Sequence, residues 1–497
     1  MSPARTTYDV VVAGGGHNGL VAATYLSRAG LAVLVLERLD HLGGAAVAAP
    51  SFPGHAARVS RHAQLASIPA SVVADLGLDL DLLPRPEPAY PPLSPPSASY
   101  DAWREVWADA VDLAHVVEAT VLEPLPLERE VRERLDPGLW RDFVTTPLAT
   151  TLEQRIDDDL TRGLVGATAL AGASFSLAEP SLRGNRSFLH HALGLARGGW
   201  RVPRGGMGAV TAALAASASD AGVEVVTGAG VSAVRGSDDA AEVTWHDGEQ
   251  FHTVATRWVL ADVAPWVLRI LLGEGDDPET KPEGAQVKVD LLLDRLPDLA
   301  SGDDPAAAFA GTLRLDSGLD AIEAAAAAAA AGEVPDAPPL EVHCPTLVDR
   351  SPLGAHAPDG QHLLSLLVQH VPVSLFTTDV VARQGLVVER ALATLDRHLT
   401  APLESCVARD ADGQPCIEAR LPHDVEAELG MPGGHPFHGD LDWPWAPNRA
   451  LLDTPARQWG VASDVGSVLV CGAGARRGGG VTGIAGHNAA QAVLAAH

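Results

Sequence analysis

Lysine is almost missing from this sequence. The 497 residues hold two, Lys281 and Lys288, and Lys+Arg of 35 against Asp+Glu of 63 leaves a formal net charge of -28. That balance repels phosphate backbones and anionic lipid headgroups, so nucleic acid is excluded as an expected partner and no charge-driven membrane contact is signalled. Cysteine is as sparse. Cys344, Cys406, Cys416 and Cys471 never come closer than ten positions and form no CxxC, which removes zinc knuckles and dithiol redox chemistry. The nineteen histidines include no HExxH, and His190 and His191 adjoin on a predicted helix and point different ways, so no metal site is expected. No window of 18 or more apolar residues occurs, which excludes a spanning helix. The opening MSPARTTYDVVVAGGGH lacks a basic stretch followed by an apolar segment and cleavage site, which predicts a cytoplasmic protein.

What is present describes a globular chain, 46% hydrophobic and 20% charged, long enough for two or three structural units. Tyr8 to Ala13 reads as a strand, Asn18 to Ala29 as a helix stopped by Gly30, and Ala32 to Leu36 as a second buried strand, a compact βαβ unit. Seven prolines between Pro84 and Pro96 predict an extended loop. From Tyr100 to about Leu195 the pattern is mostly helical. Val223 to Val226 begins a strand expected to continue through Val231 to Val234 after a turn. Ala285 to Leu293 alternates, with Val287, Val289, Leu291 and Leu293 on one face and Lys288, Asp290 and Leu292 on the other. With Leu340 to Cys344 and His362 to Gln369 it predicts a separate sheet. The run Ala324 to Ala331 predicts a helix whose side chains carry no chemistry.

The chemistry begins at Gly14-Gly15-Gly16-His17-Asn18-Gly19, which follows a strand and opens a helix, with Glu37 ending the next strand eighteen residues after Gly19. In that context Gly14 permits the tight turn and Gly16 lets a pyrophosphate approach the helix N-terminus. Gly19 allows close helix packing, and Glu37 accepts the ribose hydroxyls. NAD and FAD share this fingerprint. Two further features favour FAD: the doublet Gly43-Gly44, followed by Ala45, just past Glu37 and Arg38, and a second glycine loop near the C-terminus. There Val468 to Cys471 forms a strand, and Gly472-Ala473-Gly474 and Gly478-Gly479-Gly480 lead to a helix near Val481-Thr482-Gly483. A helix N-terminus there stabilises the negative charge that develops on a flavin pyrimidine.

The strings GGGHNGLVAATYLSRAGLAVLVLERLDHLGGAA, GGWRVPRGGMGAVTAALA and GAGARRGGGVTGIAGHNAA resemble the phytoene-desaturase-like flavoprotein family. That family holds carotenoid desaturases, ketolases and isomerases, and a branch called pyridine nucleotide-disulfide oxidoreductase domain-containing protein 2. VKVDLLLDRLP and PGGHPFHGDLD also resemble family segments, so the likeness runs end to end. It implies an α/β fold: a Rossmann-like FAD-binding domain of the two-dinucleotide-binding-domain type, with an inserted substrate domain of mixed sheet plus helices. The expected parts are 1–80, 198–275 and 436–497 for FAD, 81–197 as a helical cap, and 276–435 as the substrate domain. The resemblance assigns Gly14, Gly16, Gly19 and Gly44 to the diphosphate, Glu37 to the adenosine ribose and the Val231 backbone to adenine, and Gly15, Asn18, Arg38, Gly43 and Ala45 are further expected cofactor-binding residues. Gly474, Gly480, Val481 and Thr482 fall beside the flavin.

Three departures from the family bear on the substrate. Ala475-Arg476-Arg477 precedes the final glycines, a hairpin after the Pro-rich loop is shortened to PSASYDAW, and Ala446-Pro447 stands where an arginine-proline pair is common. Arg476 or Arg477 facing the flavin would raise its potential. Catalytic residues are not fixed by sequence. Lys288 is either an inward group binding water or an oxygen species over the flavin, or part of a solvated strand edge. His438 and Asp440 are either pocket polar groups or loop residues. The expected function is oxidation or desaturation of a mainly apolar small molecule with non-covalent FAD, by hydride transfer to flavin N5. The alternative is a flavin-bearing protein without net redox turnover, an isomerase or a partner-binding regulator.

Overall fold

The computed structural model describes residues 3–85, 98–315 and 318–497. Most of the Pro84–Pro96 loop expected from the sequence lies outside the described residues.

Strand β1 (Thr7–Ala13), helix α1 (His17–Arg28) and strand β2 (Val33–Glu37) form the βαβ unit, with β2 buried at all five positions. The helical layer contains α2 (Ala98–Glu118) and α3 (Arg183–Ala196). In α2 the buried residues are Val106, Ala110, Leu113, Ala114 and Val117, the three- and four-residue spacing of a one-sided apolar stripe. Of the shortened segment PSASYDAW, the first two residues lie outside the described residues, and from Ala98 it is the start of α2. Helix α4 (Met207–Asp220) then leads to β3 (Glu224–Thr227), β4 (Gly230–Gly236), β5 (Ala241–His246) and β6 (Phe251–Ala261).

Strands β3, β2, β1 and β6 lie side by side and parallel. The first half of β6 pairs instead with β5, and β5 with β4, both antiparallel. The expectation that 223–234 is one strand broken by a turn is therefore corrected, because β3 borders β2 while β4 joins the β5–β6 meander. Gly228 sits at φ +66 between them, in the left-handed region where glycine carries no Cβ penalty, and the chain changes direction there.

The second sheet is antiparallel throughout. It comprises β7 (Val287–Leu293), β8 (Thr312–Leu315), β9 (Leu340–His343), β10 (His362–Val368) and β11 (Ile417–Arg420), in the order β8-β9-β10-β7-β11. Every residue of β7 is buried. Its apolar face joins a cluster with Leu364, Leu366, Val387 and Leu395. Its polar face is buried too, against residues 60–64 of the first domain. There Lys288 Nζ lies 2.5 Å from Asp290 and donates to the Ser60 carbonyl, and Asp290 also accepts from Arg420 at 3.2 Å. The chain closes with β12 (Val468–Val470), parallel to β6, and α5 (Ile484–Ala496), which packs on α1. Among the described residues no helix is long and apolar enough to cross a membrane.

Candidate functional site: a dinucleotide cleft opening on the substrate sheet

At the carboxyl ends of β1, β2 and β6 the chain turns around a cavity of about 660 Å³. A crevice at this end of a parallel sheet is where such folds bind ligands. Gly14, Gly16, His17 and Asn18 line it from the first loop. The Gly16 Cα leaves no room for a side chain, since a Cβ there would meet Asp262 Oδ2 at 2.6 Å. Glu37 reaches back from β2, its Oε2 accepting the Gly15 N–H at 2.7 Å and its Oε1 the Leu39 N–H at 2.8 Å, which fixes both oxygens at the cavity wall. The doublet Gly43-Gly44 crosses over the first loop, the Gly43 N–H donating to the Gly15 carbonyl at 2.8 Å.

The C-terminal loop meets the N-terminal one directly. Burial lowers the pKa of His17 to about 4, and its neutral ring places Nε2 3.1 Å from the Gly480 carbonyl, the distance of an N–H donor. Gly480 (φ +63) also admits the Trp200 ring, which a Cβ there would meet at 2.8 Å. His190 lies edge-on to Phe437 at 5.1 Å and tilted against Trp200 at 5.6 Å, so three rings pack against the last glycine loop at Gly479 and Gly480.

Of the residues singled out in the sequence, the cavity wall contains Gly14, Gly16, Asn18, Glu37, Arg38, Gly44, Ala45, Val231, Gly480, Val481 and His438. Gly15, Gly19, Gly43, Gly474 and Thr482 shape the loops from behind the wall. Lys288 is neither a free group in the cavity nor a solvated edge, because its ammonium is held in the buried Asp290–Arg420 network. Asp440 is exposed, 4.0 Å from Arg183. Arg476 and Arg477 are turned away: Arg476 bonds the Trp445 carbonyl and Asp442, and Arg477 the carbonyls of Thr120 and Glu123.

His438 sits in the left-handed region at φ +62, strained for a non-glycine residue, and its buried Nδ1 has no partner. Burial first, then the nearby histidines 435, 17 and 62, lower its pKa to about 3. Sequence reading missed Asp262, which follows β6 and accepts the Gly19 N–H at 2.9 Å. Burial and the neighbouring Glu37 push its pKa up to about 7 against the pull of the Gly19 and Gly16 amides. Its position after the last residue of a parallel strand was the available signal.

The cradle fits an FAD molecule on this structure's own terms. The α1 N-terminus faces the cavity without an acidic side chain in its first turn, Asn18 Oδ1 is buried without a partner, and the Glu37 oxygens point to the wall. Residues 19–374 match the family of flavin containing amine oxidoreductases. The chain belongs to that family.

An uncharacterized protein of Mycobacterium tuberculosis is 41% identical over 534 residues, covering 100% of this chain and 98% of its own. The pyridine nucleotide-disulfide oxidoreductase domain-containing protein 2 of Mus musculus is 28% identical, over 99% of this chain and 94% of its own. Among solved structures, a putrescine oxidase variant superposes with a TM-score of 0.60 at 19% identity, over 99% and 98% of the two chains. The cyclohexylamine oxidase of Brevibacterium oxydans gives 0.56 at 17%, over 98% of each. These likenesses establish the α/β flavin amine oxidase fold, a Rossmann-like FAD domain with a substrate domain.

Proposed function

We propose that the protein is an FAD-dependent oxidoreductase that binds FAD non-covalently and removes a hydride from a carbon of a mainly apolar small molecule. The observation that carries this reading is one continuous cavity bounded by the first glycine loop, the last glycine loop and the substrate sheet. When bound, the flavin supplies the hydride acceptor at its N5. The chain's own duties are then binding, orientation and exclusion of water. Glu37 holds the ribose, and the amides at the start of α1 bind the diphosphate. The N-terminal end of α5 lends positive potential beside Val481. His17, His62, His190 and His438 are held neutral by burial, with pKa values lowered to about 4, 4, 4 and 3. Rings this weakly basic serve as hydrogen-bonding groups and not as strong bases. The burial that keeps these rings neutral also disfavours a charged ligand beside them, which favours a neutral substrate nitrogen or an unactivated C–H bond over an ammonium ion there.

Amine oxidation, as in the family description, and carbon–carbon dehydrogenation, as in the phytoene-desaturase-like wording of the glycine loops, are the two chemistries this site supports. The test is direct. Heat-denatured protein is expected to release FAD into the supernatant, and flavin-loaded protein under anaerobic conditions is expected to bleach with a member of a panel of neutral amines, aryl-alkyl acids and polyenes. A supernatant free of FAD after expression in flavin-replete cells overturns the proposal.

A further inference from the structure

The end of the cavity remote from the glycine loops is built from one face of the β8–β9 pair. Arg314 and Glu341 are direct cross-strand partners, as are Thr312 and His343, so four polar side chains of alternate positions project to the same side. Arg314, Glu341, Thr312 and His343 all line the cavity, and Arg85 and His191 complete the cluster. Thr312, Arg314 and His343 are buried.

The charges there do not balance. Arg314 directs Nε (2.9 Å) and Nη2 (2.7 Å) at a single oxygen of Glu341, and so uses that carboxylate. Arg85 makes one bond, from Nη2 to Thr312 Oγ1 at 2.7 Å, and leaves its other donors unused among the described residues. Burial and then Arg314 lower the Arg85 pKa to about 10, with Glu341 opposing, so it remains cationic at neutral pH. Burial lowers the pKa of His191 to about 3 and also depresses His343, and both rings are neutral. His343 Nδ1 is buried without a partner. Two guanidinium cations, Arg314 buried and Arg85 half-buried, thus face one carboxylate. A partly desolvated cation without a counter-charge is costly, and a ligand anion relieves it.

We propose that this recess is a carboxylate subsite and that the substrate carries a carboxylate bound by Arg85 with help from the His343 ring. The proposal rests on the reading of the cavity as a flavin and substrate site. The excess is one positive charge, which a monoanion matches and a phosphate dianion overshoots. A guanidinium with free donors suits the planar, two-oxygen carboxylate. The distance to the flavin loops is set by α3: His190 touches the Gly480 side of the cavity, and its neighbour His191 faces Arg314 and Glu341. A substrate anchored here by its acid end therefore presents its apolar body to Trp200, His190 and Phe437.

The probes are 3-phenylpropionate and its neutral isostere 3-phenylpropionamide, titrated calorimetrically into flavin-loaded protein and into protein stripped of FAD. The carboxylate is expected to bind at least tenfold tighter than the amide. In Arg85→Met that preference is expected to fall below twofold, with an unchanged circular-dichroism spectrum and melting curve as the check on folding, and Arg85→Lys is expected to restore part of it. Equal affinity of the two probes for the unaltered protein, failure of the carboxylate to bind, or a preference that survives Arg85→Met would overturn the subsite. Because calorimetry needs no flavin signal, a protein that proves to lack FAD refutes the cofactor reading separately from this one.

Discussion

Replacing Glu37 by Gln is the sharpest probe of how the cavity holds its cofactor. Both carboxylate oxygens are committed on the protein side, Oε2 to the Gly15 amide at 2.7 Å and Oε1 to the Leu39 amide at 2.8 Å. Each retains a further lone pair, and the side chain forms part of the cavity wall. A glutamine keeps the shape but puts an NH₂ where one oxygen was, so that one backbone N–H faces a donor and one ribose hydroxyl loses a charged acceptor. A hydrogen bond to a charged group contributes about 1.5–3 kcal/mol, which at about 1.4 kcal/mol per tenfold predicts an FAD dissociation constant raised about ten- to hundredfold. The same substitution disturbs the loop even without ligand, so a weaker Kd alone does not locate the contact.

The decisive assay is a chemical cycle on stripped protein, comparing ADP with 2′-deoxy-ADP against the wild-type and Glu37→Gln chains. The wild type is expected to prefer ADP by about tenfold or more, the worth of one charged hydrogen bond. The variant is expected to bind both nucleotides alike and no better than the wild type binds the deoxy form. A preference for ADP that is the same in both proteins would refute the assignment, whatever happened to overall affinity, because the hydroxyl would then be recognised by another group.

Asp262, with its pKa raised to about 7 by burial, is in the folded protein a far weaker acid than in an unfolded chain, near 3.9. The stability that its protonated form contributes is therefore fully present below pH about 4 and is lost as pH rises through about 7, and a bound diphosphate steepens the loss. FAD affinity is expected to fall between pH about 6 and 8.5 in the wild type and to stay flat in Asp262→Asn, whose amide oxygen still accepts from Gly19; parallel pH slopes in the two proteins speak against it. Arg476→Gln and Arg477→Gln are expected to leave the flavin reduction potential unchanged, because neither guanidinium lines the cavity. Arg477→Gln should instead lower the melting temperature by removing buried bonds to the end of the α2 segment, and a fall in potential in either variant would restore the electrostatic role expected from sequence.

The glycine loops were readable because their chemistry is local: a tight turn, a helix N-terminus and an acid at the next strand end are all encoded within the span from Gly14 to Glu37. The β7 strand shows where that locality ends. Its alternation is real, and the apolar face does enter the core, yet alternation alone cannot say what covers the other face. Here the cover is Ser60 and its neighbours, 228 positions away, and Lys288 and Asp290 neutralise each other under it. A polar strand face that sequence left open between an inward pocket group and a solvated edge is neither, but is packed against the segment around Ser60.

The carboxylate recess lay beyond sequence reading for a related reason. Arg314, Glu341 and His343 are unremarkable in a chain with 63 acidic residues, and only the β8–β9 register aligns Arg314 with Glu341 and Thr312 with His343. The two strands are separated in sequence by a helix, Leu319–Ala330, which buries Leu319, Ile322, Ala325, Ala326 and Ala329 and packs on the helix Asp159–Gly166. The cavity wall comes from the cross-strand pairing itself, which sets three scattered polar residues on one side of the sheet at positions that no local pattern relates.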